Sequence, residues 1–273
     1  MKKHAFLICN PKLASVKPDL QGVENDVTEW KKFLKSIEGG CWTDEDISVW
    51  PAKRKDDLLC DIKGLKPKDG LFEYVLFFFA GHGAYDVNGN DMIYPHENRS
   101  EAVYINNIIS ELKLISKKAV IIIDACRCPC GVESHNSFNY MQQKQEMGFV
   151  YESTQQSKPF ESIADTYDFW VYIANDDFVL VQSCQKDHVS GEGVHEGDAT
   201  HFGCFTRTLL DVGYSAQKIT YFDDAVAKTN EIMKDIVDWK GEDPQVAEIS
   251  KKNSRIPFTF GKEYLSELKK NII

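Results

Sequence analysis

Tyr74-Val75-Leu76-Phe77-Phe78-Phe79-Ala80-Gly81-His82-Gly83 and Ala119-Val120-Ile121-Ile122-Ile123-Asp124-Ala125-Cys126-Arg127 are two apolar runs, each ending on side chains capable of chemistry. Runs without polar alternation read as strands buried on both faces, the kind found in parallel sheets covered by helices. Between them Ile105, Ile108, Ile109, Leu112 and Ile115 fall on one face of a 3.6-residue period, so this part of the chain reads strand, helix, strand. In a doubly wound α/β sheet, neighbouring parallel strands deliver their carboxyl ends to one crevice. His82 and Cys126, distant in sequence, are therefore expected to meet there.

The alternation continues in both directions. Residues 4–9 read as a first strand, and the helix that follows carries Val23, Val27, Trp30 and Leu34 on one face. Residues 47–50 read as a second strand, with Leu58, Leu59, Ile62 and Leu65 striping the next helix. The stretch 126–168 is polar, rich in Gln, Ser, Asn and Glu, and reads as an unusually long loop that is either functional or disordered. Order resumes with a strand at 178–182, helices over 205–212 and 222–239, and a last strand at 256–260. There is no internal repeat. The expectation is a single α/β domain over 1–273, three-layered, with a mostly parallel six-stranded sheet flanked by helices.

At 273 residues the chain is long enough for one sizeable core. Lys and Arg total 32 against 42 Asp and Glu, a formal charge of −10 with pI about 5.2. With no basic run, neither nucleic acid nor an anionic membrane surface is an expected partner. The apolar stretches are far shorter than the roughly 18 residues that span a bilayer. The basic-then-apolar start is broken by Asn10-Pro11, too early for a signal-peptide core, so a cytoplasmic location is expected. The 8 cysteines are then expected to be reduced thiols.

A cysteine beside a histidine is a nucleophile with its base. The thiolate attacks a carbonyl, and the imidazole keeps it ionised and then protonates the leaving amine. The N–H groups of Gly83 and Cys126 are candidates for an oxyanion hole. Cys126, Cys128 and Cys130 alternate ahead of His135, which suggests zinc; yet structural zinc sites put two or more residues between paired cysteines, and capture of Cys126 would abolish catalysis, so no metal or cofactor is expected. Oxidative pairing among these thiols is an alternative off-switch. Asp86 to Glu97 imitates a calcium loop, but Asp91 stands where such loops need glycine. Asn88-Gly89 instead suggests a two-residue hairpin turn.

With these residues in place, the chain resembles the caspase-like cysteine peptidases, and within them the paracaspases and metacaspases. The resemblance covers nearly the whole chain. It rests on Leu20-Gln21-Gly22-Val23-Glu24-Asn25-Asp26-Val27, Phe79-Ala80-Gly81-His82-Gly83, Gly89-Asn90-Asp91-Met92-Ile93-Tyr94-Pro95 and Ile123-Asp124-Ala125-Cys126-Arg127. More weakly it rests on Gln182-Ser183-Cys184-Gln185, Gly203-Cys204-Phe205-Thr206 and Glu248-Ile249-Ser250. It implies a caspase-like fold with a large-subunit-like part (1–127), a linker (128–168) and a small-subunit-like part (169–273). It also implies His82 and Cys126 as the catalytic pair. Caspases carry Gln where this chain has Asp124, and Asp26 matches the family's second pocket acid. The resemblance thus implies cleavage after Arg or Lys in protein substrates, since a carboxylate pairs with a guanidinium or ammonium and repels an acid. The paracaspase pattern places a glutamate where this chain has His188; Asp187 and Glu192 are the two substitutes. Lys144 and Lys158 make self-processing in the linker one reading and incidental lysines the other. Family members pair through their last strand or stay monomeric, which leaves a homodimer open. A caspase-fold scaffold with little turnover is the alternative from another class. Aspartate-directed cleavage would need a basic pocket, with Arg54, Arg99, Arg127, Arg207 and Arg255 the only arginines available.

Overall fold

Six strands, β1 (Lys3–Asn10), β2 (Ile47–Trp50), β3 (Tyr74–Gly81), β4 (Ala119–Asp124), β5 (Phe178–Gln182) and β6 (Glu248–Ile249), form the central sheet in the order β2-β1-β3-β4-β5-β6. The first five are parallel to their neighbours, and β6 closes one edge antiparallel to β5. The structure is a computed structural model that describes residues 1–14, 16–131, 137–140, 158–195, 200–238 and 243–272.

Successive side chains on a strand point to opposite faces, so each apolar run feeds two cores. Leu76 and Phe78 of β3, with Leu7, Ile122 and Val181, pack against Trp30 and Phe33 of helix α1 (Val23–Lys35). On the other face Val75, Phe77 and Phe79, with Phe6 and Ile121, pack against α2 (Lys55–Gly64) and α3 (Ile105–Ile115). Helices α4 (Lys158–Ile173), α5 (Cys204–Ser215) and α6 (Phe222–Ile236) complete the first layer, and α7 (Lys262–Ile272) follows on the C-terminal side. Phe77, Phe78 and Phe79 are fully buried, each worth roughly 1.5–3 kcal/mol relative to exposure. The three layers are those the hydrophobic pattern requires.

Four local expectations differ. The polar stretch does not run unbroken to 168, because α4 begins at Lys158 and turns Ile163, Tyr167 and Val171 onto the sheet. Residues 137–140 form a short strand parallel to Glu192–His195. Residues 132–136 and 141–157 of this stretch, including His135 and Lys144, lie outside the described residues. The last predicted strand shrinks to Pro257–Thr259 and pairs with Thr220–Tyr221 outside the central sheet, leaving the sixth position to Glu248–Ile249. The helix expected to reach 239 ends at Ile236.

The hairpin after His82 is present, Gly83–Tyr85 against Asp91–Ile93, but its turn is longer than two residues. The Asp86 N–H donates to the Asn90 carbonyl and the Gly89 N–H to the Asp86 carbonyl, with Gly89 at φ 79°. This is a three-residue turn whose last position needs glycine. The Asp86 carboxylate accepts the N–H groups of Asn88 and Asn90, so the turn's own backbone occupies it.

Candidate active site

β3 and β4 end side by side, with Ala80 opposite Asp124, and this register brings His82 and Cys126 to one edge of the sheet. Close backbone approach completes the juxtaposition. A Cβ on Gly83 would sit 2.7 Å from the Cys126 carbonyl oxygen and 2.9 Å from the Ala125 Cβ, so only glycine lets the His82 segment lie against the Cys126 segment. The Tyr94 N–H donates to the His82 carbonyl and fixes that turn. Both His82 and Cys126 are buried and share one cavity wall with Asp26, Asp124 and Glu192.

Two helix N-termini hold the three carboxylates. The Gly203 N–H, just before α5, donates to both oxygens of Asp26 at 3.0 and 3.1 Å. Within the first turn of α5, the Thr206 N–H and hydroxyl donate to Asp124 Oδ2 at 3.2 and 2.6 Å. At the start of α1, the N–H groups of Gln21 and Gly22 donate to Glu192 at 3.1 and 2.6 Å. Unpaired N–H groups and the positive end of the helix dipole favour anions there. Burial works against them. It pushes the Asp26 carboxyl well above its usual range, with Asp124 nearby adding to the shift, and it raises Asp124 as well despite the Ser190 and Thr206 hydrogen bonds. A Cβ on Gly203 would lie 2.6 Å from Asp124 Oδ2 and 2.9 Å from Asp26 Oδ2, so the glycine leaves space for the two acids to sit together.

The cavity is narrow. It holds about 20 Å³ of open space, room for roughly one water molecule. The Ser190 N–H donates to Cys126 Sγ at 3.3 Å, and its hydroxyl donates to Asp124 Oδ1 at 2.6 Å. Burial pushes the Cys126 thiol up to about 12, with the Ser190 N–H pulling the other way, so this form holds the neutral thiol at pH 7. A larger depression of about 610 Å³ at the opposite, amino end of the strands is lined by Lys2, Asp69, Glu73, Lys117, Asp168 and neighbours, with neither cysteine nor histidine among the described residues there. The histidine and the cysteine line the smaller one.

Residues 2–258 match the family model described as the caspase domain. This chain belongs to the caspase-domain family. Caspase-domain proteins are cysteine peptidases acting on proteins, and His82 and Cys126 are the cysteine and histidine on this cavity wall. Among solved structures the chain is similar to caspase-1 from Spodoptera frugiperda, at 14% identity and TM-score 0.55, covering 96% of this chain and 92% of that one. No curated protein matches the chain significantly.

Within this caspase-domain framework the sequence-derived residues separate. His82, Gly83, Cys126, Asp26 and Asp124 come together. Asp187 does not line the cavity: its carboxylate accepts the Tyr85 hydroxyl, and its backbone takes φ 67°. The third acid on the wall is Glu192, the other substitute. The five arginines point elsewhere. Arg127 pairs with Asp91 and Glu248, Arg207 with Asp211 and Arg54 with Glu101, while Arg99 and Arg255 lie over the Tyr94 and Tyr221 rings. Cys128 and Cys184 both donate to the His188 carbonyl, whereas Cys130 contacts the Tyr94 hydroxyl, so the alternating thiols face different partners. Ser190 and Gln245 are the participants that sequence reasoning did not single out, while Thr206 lay in the quoted Gly203–Thr206 motif with no role given to it. Ser190 and Gln245 are ordinary polar residues in loops, and nothing in their spacing marks them.

Proposed function

We propose that this caspase-domain chain is a cysteine endopeptidase that hydrolyses peptide bonds after Arg or Lys, in the paracaspase or metacaspase manner. One observation carries the reading: Asp26, Asp124 and Glu192 share the cavity beside Cys126, and among the described residues no lysine or arginine lines it. Buried carboxylates crowded together repel one another and are costly to desolvate, and a guanidinium or ammonium relieves both effects. An acidic substrate side chain would add to them.

With the basic side chain seated, the scissile carbonyl lies beside Sγ of Cys126. His82 takes the thiol proton as sulfur bonds to the carbonyl carbon, and the N–H groups of Gly83 and Cys126 receive the oxyanion. The tetrahedral intermediate collapses, the C–N bond breaks, and His82 gives its proton to the leaving amine. Water, deprotonated by His82, then attacks the thioester and restores the thiol. No cofactor takes part.

The narrow cavity and neutral thiol favour a second reading, a caspase-fold scaffold with little turnover. Matched fluorogenic peptides ending in Arg, Lys or Asp separate the two, assayed in reductant with wild type and Cys126→Ala. Cleavage after Arg or Lys that disappears in Cys126→Ala is expected; cleavage after Asp alone refutes the acidic pocket, and no cleavage at all supports the scaffold. Self-processing at Lys144 or Lys158 belongs to the same proposal. Prolonged incubation followed by intact mass checks it, and an active enzyme that stays whole argues against it.

A further inference from the structure

Ser190 touches both halves of the site at once. Its N–H rests on Cys126 Sγ, and its hydroxyl donates to Asp124 Oδ1. That hydroxyl also accepts from Ser183 at 2.9 Å and from the Gln245 side-chain amide at 3.1 Å. Gln245 is buried and holds the same loop twice more, accepting the Gly191 N–H at 2.9 Å and donating to the Ser183 carbonyl at 2.8 Å. Hydrolysis and the choice of a basic residue require none of these contacts.

Their placement matters because of what surrounds Asp124. Thr206 occupies Oδ2 with two donors, so Oδ1 is the oxygen an entering cation must reach, and Ser190 holds it. About 20 Å³ admits no guanidinium unless a wall moves. Asp26 and Asp124 are anchored on the α5 N-terminus, and Gly81 ends β3; of the wall residues outside any helix or strand, Leu20, His82, Cys126, Ser190 and Gly191, only Ser190 is hydrogen-bonded to Asp124 Oδ1. The loop is the wall that can yield. The exchange is favourable in kind, since a hydroxyl–carboxylate contact gives way to a charge-assisted pair.

We infer that Ser190, held by Gln245, couples the acidic cavity to the nucleophile: a cation that takes Asp124 Oδ1 displaces the Ser190 hydroxyl, and the Ser190 backbone then withdraws from Cys126 Sγ. Ser190 and Gln245 are positioning residues, acting through Asp124 and Cys126. The thiol becomes accessible when a basic side chain arrives, which guards it from other electrophiles between turnovers. The inference rests on reading the cavity as the seat of a basic side chain.

The test is the rate at which iodoacetamide alkylates Cys126, followed by peptide mass, with methylguanidinium chloride or with sodium chloride at the same ionic strength. For wild type, methylguanidinium should accelerate alkylation about tenfold, the factor that corresponds to ~1.4 kcal/mol. Ser190→Ala should react at the accelerated rate unaided and gain less than about twofold on addition. Gln245→Leu should fall between the two. Methylguanidinium that leaves wild type unchanged or protects it overturns the coupling, and so does full acceleration retained in Ser190→Ala. Hydrolysis of Arg and Lys peptides by the same preparations is scored separately. Hydrolysis without acceleration removes the coupling and leaves the peptidase; acceleration without hydrolysis removes the peptidase and leaves the coupling.

Discussion

Asp26→Asn should make the protein more stable and a far poorer enzyme, and both effects follow from one pair of hydrogen bonds. Asp26 is 2% exposed, and both its oxygens accept a single N–H from Gly203. Asparagine keeps one acceptor for that donor and removes a buried charge. If the cavity binds Arg or Lys, the substitution removes one partner of a buried charge pair, a loss of about 2–5 kcal/mol, or roughly 30-fold to several thousand-fold in kcat/KM at 1.4 kcal/mol per tenfold. Stability moves the other way. The folded carboxyl titrates above its unfolded value of about 3.9, because burial and Asp124 disfavour its ionised form. Its contribution is therefore complete below about pH 3.9 and is lost as pH rises through the folded value, at up to about 1.4 kcal/mol per pH unit for one proton. Asp26→Asn has no such loss, so its advantage over wild type should grow from about pH 4 upward. Asp124, raised in the same sense, still titrates in the variant. Urea unfolding of both proteins across about pH 4–8, with kcat/KM for an Arg peptide measured alongside, checks the pair of effects. A stability difference that shrinks with pH, or kcat/KM within about threefold of wild type, would refute the reasoning.

Other substitutions test neighbouring contacts. Gly203→Ala places a methyl against Asp124 and Asp26; overpacking of this kind destabilises by about 1–3 kcal/mol, and Arg-peptide cleavage should fall more steeply than stability, as kinetics and denaturant midpoints will show. Glu192→Gln should lower kcat/KM for Arg peptides at least about tenfold, the scale of one buried charged contact. Asp187→Asn, on Tyr85 and away from the cavity, should leave kcat/KM within about threefold; the reverse ranking would return the third acid to Asp187. Lys118 is 1% exposed and donates to the carbonyls of Val171, Tyr172 and Ala174 at the end of α4. Lys118→Met strands those carbonyls and should destabilise by about 3–5 kcal/mol, and an unchanged urea midpoint would show the cation to be dispensable.

What the sequence made legible was whatever periodicity and strand ends encode. The apolar runs at β1, β3, β4 and β5 have no polar alternation, and their parallel pairing followed. His82 and Cys126 were found because each follows such a run, and Asp124 through the resemblance, which sets it where caspases carry Gln. Helix α4 was missed although Ile163, Tyr167 and Val171 recur every four residues, because Glu161 and Ser162 ahead of them and Asp165, Thr166 and Asp168 between them resemble the polar stretch before it. The sixth strand was misplaced because Glu248–Ile249 is only two residues long, without a pattern of its own. The choice between Asp187 and Glu192 turned on loop geometry. Side chains only five positions apart end on Tyr85 and on the α1 N-terminus, and spacing cannot distinguish those destinations. Ser190 and Gln245 reach the site through hydrogen bonds made across the fold, for which composition carries no trace.

The strand at residues 137–140, upstream of any cut between 141 and 157, pairs with Glu192–His195 downstream of it. Across the same divide β4 runs beside β5, and Glu192 caps the start of α1. The two portions are therefore interleaved rather than joined end to end. A backbone cut in that interval would change the chain count without changing the particle: two bands under denaturing electrophoresis, one species in native mass spectrometry. Neither fragment would be a sensible object alone, because parting β4 from β5 opens the central sheet and leaves each piece an exposed edge ready to pair with whatever strand it meets.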